Sequence, residues 1–470
     1  MPFAKETASS LGAEDIMKDL EVKELFGRCR HHVDPVAYQH DILSAVLDVT
    51  DQVERPKRGY VIAADGSNYE ASVSDGFPSA RMGLLKIGQV WIDTKAYHKI
   101  DPRSGGDPDP IVIAKLEKEK NTYSVPLTGA GIHLDNEGPR ESFRRSAFEA
   151  FKSSRFQLLN EGLDKTLIDL LEISGETQLK NGKRHVVIPS NRRCPITGEP
   201  LGEDVLIPED IGYAPSPRAG NKPLFVTDVL RLSEAFAEEG SNQQAYTRAM
   251  NALEHLILAH TIMRLDASEH TRAILDGAVF LVDGPLGIFG EPARLHRPIM
   301  KMLHGVRERS VDTPPLIMGV TKSGRVVDHG KLIQPMLLEH FPKGRTLLLP
   351  MSDPYRYRYV DLGAKDPDSN FGNDTHYGQA FLVRSANDRI FELNLAYPFP
   401  DKAAGFQDRK VDLSHYHDDI GRAIGVLELF ETELYADANI VQHLAHRCAS
   451  ISHRPAGRTL DMFVRSIIGI

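Results

Sequence analysis

Cysteine is scarce, with three in 470 residues, and Cys29, Cys194 and Cys448 stand far apart with none in a CxxC pair. A disulfide framework is thereby excluded, as is half of a four-cysteine zinc site. Cys194, in Arg-Arg-Cys-Pro-Ile-Thr-Gly, has the look of one knuckle of a zinc ribbon. The second Cys pair is missing, however, so the segment reads as a turn. Long apolar runs are absent too: nothing approaches the roughly 20 residues that cross a bilayer. The opening MPFAKETASSLGAEDIMKDLEVKE lacks a basic stretch followed by an apolar one, so the expectation is a cytoplasmic protein with no membrane association. Positive charge is not in excess, since 56 Lys+Arg against 65 Asp+Glu leave −9. A nucleic-acid enzyme of this charge cannot rely on net attraction and needs a local basic groove or a partner. There is also no GxxxxGK[ST] loop, no GxGxxG after a strand, no GxSxG elbow and no HExxH helix. Nucleotide hydrolysis by this chain, dinucleotide binding, serine hydrolysis and zincin proteolysis are all left without support. No internal repeat is visible, which argues against solenoids and propellers.

What is present is an α/β pattern with 41% hydrophobic residues, ample for a large core. Residues 11–56 read as helical, with Ile16, Leu20, Val22 and Leu25, then Ile42, Leu43, Val46 and Leu47, at helical spacing until Pro56. The span 1–56 is therefore an N-terminal helical segment, and 57–99 the first part of a sheet core. In that part Tyr60 to Ala64 form a short apolar strand closed by Asp65-Gly66-Ser67, and Leu84 to Ile92 form an antiparallel neighbour. Residues 100–235 change texture and read as an insertion. Within it, the helix from Arg140 to Phe156 carries Arg144, Arg145, Lys152 and Arg155 among four phenylalanines, a composition able to touch a phosphate backbone or simply to be solvated. The core resumes over 236–470. It continues with an amphipathic helix through Met250, Leu253, Leu256, Ile257 and Ile262, a strand from Ala278 to Val282 ending at Asp283-Gly284, and a strand from Leu316 to Val320. A hairpin of Ala380–Arg384 with Ile390–Ala396 and closing helices near 418–436, 439–452 and 458–467 complete it.

Asp65 and Asp283 each end a run of about five apolar residues and precede a glycine. A strand end places a carboxylate where loops converge, and two such carboxylates on neighbouring strands repel unless a hard divalent cation sits between them. Asp-Gly is equally a common turn dipeptide. Glu254 borders the apolar face of its helix and is a third candidate carboxylate, costly to bury unless paired or metal-bound, or else a rim residue turned to water. Three such acids make the site used for two-metal phosphodiester cleavage. Lys322, just after Val320, is placed to offset phosphate charge or merely to be exposed. His443, His446 and His453 lie on the closing helix, where Ile440, Val441, Leu444, Cys448 and Ile451 define the packed face with His446 off its centre. Imidazoles there can ligate metal, shuttle protons or face solvent. His415 and His417 read as the loop entering a helix.

These segments together resemble the NurA nuclease family. Val61-Ile62-Ala63-Ala64-Asp65-Gly66-Ser67 is similar to its opening strand and Asp-Gly-Ser motif, and Leu253-Glu254 to its helix. Val279 to Leu286 resembles its second acidic strand, Val320-Thr321-Lys322-Ser323 its strand-end lysine, and Leu444 to Ile451 its Ala-His helix. The match covers about half of the chain, in the family's order. One departure is that Tyr435-Ala436-Asp437-Ala438-Asn439-Ile440 stands where the family has Tyr-Pro. The resemblance implies a ribonuclease-H-like mixed sheet with flanking helices, a central insertion and a C-terminal helical cap. It also implies Mn²⁺- or Mg²⁺-dependent DNA cleavage with Asp65, Glu254, Asp283 and His446 at the metal and Lys322 at the phosphate. Further implications are a homodimer and a HerA-type hexameric ATPase partner, in DNA end processing or anti-phage defence. The alternative from another class is a catalytically weak DNA-binding or regulatory subunit that braces an ATPase ring.

Overall fold

Side chains alternate across a strand, so each strand of a covered sheet must feed two cores. That rule organises this protein, whose computed structural model describes residues 16–29, 38–56, 58–74, 76–77, 79–99, 120–153, 161–361, 370–431, 440–451 and 457–468. Its strands in chain order are β1 (Leu47–Asp48), β2 (Tyr60–Ser72), β3 (Arg81–Asp93), β4 (Lys120–Thr128), β5 (Thr177–Lys180), β6 (Lys183–Ile188) and β7 (Val205–Pro208). They continue with β8 (Tyr213–Pro215), β9 (Pro223–Phe225), β10 (Val279–Asp283), β11 (Leu316–Thr321), β12 (Leu347–Pro350), β13 (Gly378–Arg384) and β14 (Ile390–Ala396). One nine-stranded mixed sheet takes the order β1-β12-β13-β14-β11-β10-β2-β3-β4. Its centre is parallel, with β10 between β11 and β2, and every other neighbouring pair is antiparallel. The α/β class with a mixed sheet is as expected.

Val61, Ala63, Val279, Leu281, Met318 and Val320 face one core, shared with the helices His417–Phe430 and Ile440–Ala449. The intervening Ile62, Phe280, Val282 and Ile317 face the other, under the helices Pro139–Lys152, Leu163–Ile173, Gln243–Asp266 and His296–Arg309. The stretch 120–235 supplies β4, an edge strand of the main sheet, and two small sheets, β5-β6-β7 and β8-β9. No helix among the described residues is long and apolar enough to cross a membrane.

Several expectations change on the structure. The N-terminal helical reading breaks after Ala45, because Leu47 and Asp48 pair with Leu348 and Leu347 as an edge strand. The helix Gln243–Asp266 is not amphipathic: it is wedged between sheet and outer helices, and residues 252–262 are all buried, Glu254, His255 and His260 included. The basic helix is structural. Buried Arg144 binds Asp228 at 2.6 Å, Arg145 is ion-paired with Glu137, and Lys152 donates to the Ile211 carbonyl at 3.1 Å. Arg155 lies outside the described residues. Cys194 sits in a turn closed by the Gly198 N–H to the Cys194 carbonyl at 2.8 Å.

Candidate metal centre

Asp65 does not end its strand. β2 runs seven residues further, through Tyr69 to Ser72, because β3 pairs with it along its whole length, Asp65 lying opposite Gly88. What ends at this level is the parallel neighbour, since Val282 pairs with Ala64 and β10 stops at Asp283. Asp65 therefore stands where the sheet narrows, beside the carboxyl end of β10, the edge at which open parallel sheets expose their ligand sites. The two Asp-Gly pairs differ. Gly284 is a turn residue with φ 122°, whereas Gly66 is an interior strand residue. A Cβ at Gly66 would lie 2.6 Å from Glu254 Oε1 and 2.8 Å from Met250 Cγ, so only glycine lets the central helix bring Glu254 to the strand.

Asp65 and Asp283 share the sheet face covered by the Ile440–Ala449 helix. That helix lies close to the sheet because Gly88 has no side chain: a Cβ there would meet Ala449 N and Cys448 Cβ at 2.8 Å. Ser67 fastens the same helix by donating to the Ala449 carbonyl. The helix buries Val441, Gln442, Ala445, Cys448 and Ala449, a face rotated from the expected one, with Leu444 only half-buried. The small alanines at the contact account for the rotation, since they allow the close approach that a leucine would prevent.

This seating delivers two side chains, one helical turn apart, to the two acids. His446, 61% exposed in its side chain, places Nδ1 2.8 Å from Asp65 Oδ2. Gln442, fully buried, donates Nε2 to Asp283 Oδ1 at 3.0 Å and to the Val320 carbonyl at 2.8 Å. One ligand atom each from Asp65, Asp283 and His446 lies within 4.8 Å of the other two. This is the one cluster of three or more potential ligands found among the described residues. Lys322 Nζ is 3.6 Å from Asp283 Oδ2.

Burial is the first cause that raises the Asp65 carboxyl above its ordinary range, with repulsion from Asp283 second, while His446 and the Gly66 N–H oppose it. Burial also raises Asp283, against the attraction of Lys322 and His446. Glu254 is pushed up to about 8 by burial first and then by Asp65. It approaches from the opposite face of the sheet, over Gly66, which is why it stands outside the three-residue cluster while still sensing both aspartates. Behind it, the buried Tyr377 hydroxyl meets His255 Nδ1 at 2.6 Å.

The sequence reading named Asp65, Glu254, Asp283, Lys322 and His446, and the structure brings all five to this end of the sheet. His443 is half-buried, and its pKa is lowered by burial first and then by His446 and Lys322, so it too borders the site. His453 and Tyr435 lie outside the described residues. His415 and His417 stand in a short turn and at the start of the His417–Phe430 helix, and neither joins the cluster. Gln442 was missed. Its signal was available, as a polar residue four positions before His446 on a packed helical face.

No protein-family model matches the chain, and no curated protein does. Among solved structures it is similar in overall extent to the NurA nuclease from Sulfolobus solfataricus, at 9% identity and a TM-score of 0.34, spanning 98% of this chain and 97% of that one. A structure of NurA matches at 12% identity over 98% of both chains with a TM-score of 0.29. A structure of NurA with manganese matches at 11% identity over 97% and 98%, with a TM-score of 0.28. Likeness at this level leaves the function to be decided by the site itself.

Proposed function

We propose that the protein is a metal-dependent nuclease that hydrolyses phosphodiester bonds of DNA on a ribonuclease-H-like sheet. The convergence of Asp65, Asp283 and His446, with ligand atoms inside 4.8 Å, carries this reading. Two carboxylates and an imidazole suit Mn²⁺, and the imidazole favours it over the harder Mg²⁺. The donor set fits such an ion: Asp65 is buried and Asp283 half-buried, the two are costly to ionise together, and that cost is what a divalent cation relieves. When bound there, a divalent cation supplies Lewis-acid polarisation of a phosphate oxygen and a water of lowered pKa.

The chain's own groups do the rest. Asp65 and Asp283 would hold the ion from two strands and His446 would join them from the closing helix, while Glu254, outside that cluster on the other face, would act through its charge on both aspartates. Gln442 fixes the Asp283 carboxylate, and the Lys322 ammonium offsets phosphate charge. Ser67 is engaged with the Ala449 carbonyl, so its hydroxyl serves the helix contact.

In the same reading the protein works as a homodimer with a HerA-type hexameric ATPase. A net charge of −9 supports a partner that concentrates DNA at the site. The test is cleavage of linear DNA with Mn²⁺. Activity should stop with chelator and be lost in Asp65→Asn and Asp283→Asn, both folded by circular dichroism. Full activity in both variants would overturn the site, and a wild type that binds DNA without cutting it would favour the regulatory-subunit alternative.

A further inference from the structure

A second constellation lies away from the acidic cluster. A cavity of about 930 Å³ opens where the helix His296–Arg309 begins, walled by the segments 373–374 and 400–403. Six basic side chains line it against four acidic ones. Two of the acids are already matched, Glu176 by Arg294 and Glu291 by Arg248. Lys402 is the inner cation. Its ammonium donates to the carbonyls of Gly372 at 2.9 Å and Asn373 at 2.5 Å, and no carboxylate among the described residues is within ion-pair distance. Burial, then Lys410 and Arg297, lower its pKa to about 7 against the attraction of Asp374, so an anion bound beside it would favour the charged ammonium. Among the described residues Arg297 is ion-paired only with Asp374, at 3.7 Å with both side chains largely in solvent, a contact of little energetic weight.

His296 stands in the wall of the cavity. It is 2% exposed, and its Nδ1 lies 2.6 Å from the Ala293 carbonyl, so Nδ1 donates and Nε2 presents a lone pair. Nε2 is buried and has no partner among the described residues.

We propose that this cavity binds a ligand carrying several phosphates, with Lys402 and Arg297 neutralising its charge. Its volume lies within the ~300–1,000 Å³ of small-molecule sites, too large for one phosphate. Among the described residues no Phe, Tyr or Trp lines it, so they offer no stacking platform for bases and recognition falls on the phosphates. Such a ligand has two sources, a nucleic-acid backbone or a free polyphosphate.

Calorimetry in chelator, where no metal-dependent cleavage occurs, separates this site from the acidic cluster. Tripolyphosphate should bind wild type and Asp65→Asn equally, and about tenfold more weakly to Lys402→Gln and to Arg297→Gln, since each removes a positive charge that faces the anion. Gln at 402 keeps a donor for the two carbonyls, and unchanged melting temperatures confirm folding. Displacement of tripolyphosphate by a short 5′-phosphorylated single strand identifies a strand backbone as the ligand. Tripolyphosphate binding without displacement identifies a free polyphosphate. Absence of tripolyphosphate binding at low ionic strength, or affinity equal to wild type in both variants, overturns the proposal and leaves the nuclease reading untouched.

Discussion

Replacing Glu254 by glutamine tests the buried acid through stability rather than catalysis. Its carboxyl lies between the central helix and Gly66, and burial with the charge of Asp65 raises its pKa from 4.5 to about 8. A carboxyl with a raised native pKa holds its proton more tightly in the folded state. Its stabilising contribution is therefore complete below about pH 4.5, declines as pH rises toward about 8, and is gone above that. At roughly 1.4 kcal/mol per unit, and allowing for titration shared with Asp65, the loss is on the order of 3–5 kcal/mol. An unfolding entropy of about 2 cal/mol/K per residue makes 1 kcal/mol worth roughly 1 °C in a chain of this length. Metal-free wild type should thus lose ~3–5 °C across that window relative to Glu254→Gln, measured by thermal melts in chelator. The comparison cancels groups that titrate in both proteins, such as His255 and His296, which burial lowers to about 4. Adding Mn²⁺ at the alkaline end should raise the melting temperature of wild type more than that of the variant. Melting profiles that run parallel with pH would refute the reasoning, because Glu254 would then ionise as an ordinary surface carboxyl.

His446→Ala should lower Mn²⁺-supported cleavage strongly and weaken Mn²⁺ binding, whereas His443→Ala should do neither to the same degree; the reverse ranking in a rate assay would show that the wrong imidazole meets Asp65. Gln442→Leu should raise the Mn²⁺ concentration needed for half-maximal rate with folding retained, and Gln442→Glu should be worse because it sets a carboxylate against Asp283 at 3.0 Å. Equal metal dependence in all three proteins would remove Gln442 from the site. Gly66→Ala should cut the rate by displacing Glu254, whose Oε1 would lie 2.6 Å from the new methyl group; an active Gly66→Ala enzyme would mean that Glu254 can move without consequence.

The elements legible in the chain were those with a local signature. β10 and β11 are short apolar runs of a kind that only a sheet covered on both faces buries, and the β13–β14 hairpin turns at Ala386-Asn387-Asp388, where Asp388 takes φ 61°. The helix Gln243–Asp266 was placed correctly but read as half-exposed. Its apolar residues have helical spacing either way, and its complete burial depends on outer helices that pack over it from distant parts of the sequence. The basic helix misled for a related reason. Arg144 is a lone cation until Asp228, 84 residues later, folds beside it.

At the site, residue identity was local information and geometry was not. Asp65, Glu254, Asp283, Lys322 and His446 stood out by type and position, because carboxylates and imidazoles at the edges of apolar runs are costly without a purpose. Asp65 and His446 are 381 positions apart, and no periodicity connects them. The sequence by itself determined the alternating strands, the mixed α/β class and the chemical types available at the narrowing of the sheet. Only the tertiary structure decided that Asp65 is mid-strand, that Glu254 arrives from the opposite face through the gap left by Gly66, and that Gln442 grips Asp283. Those facts follow from register and close approach, which depend on steric fit between elements distant in the chain rather than on any property of a local segment.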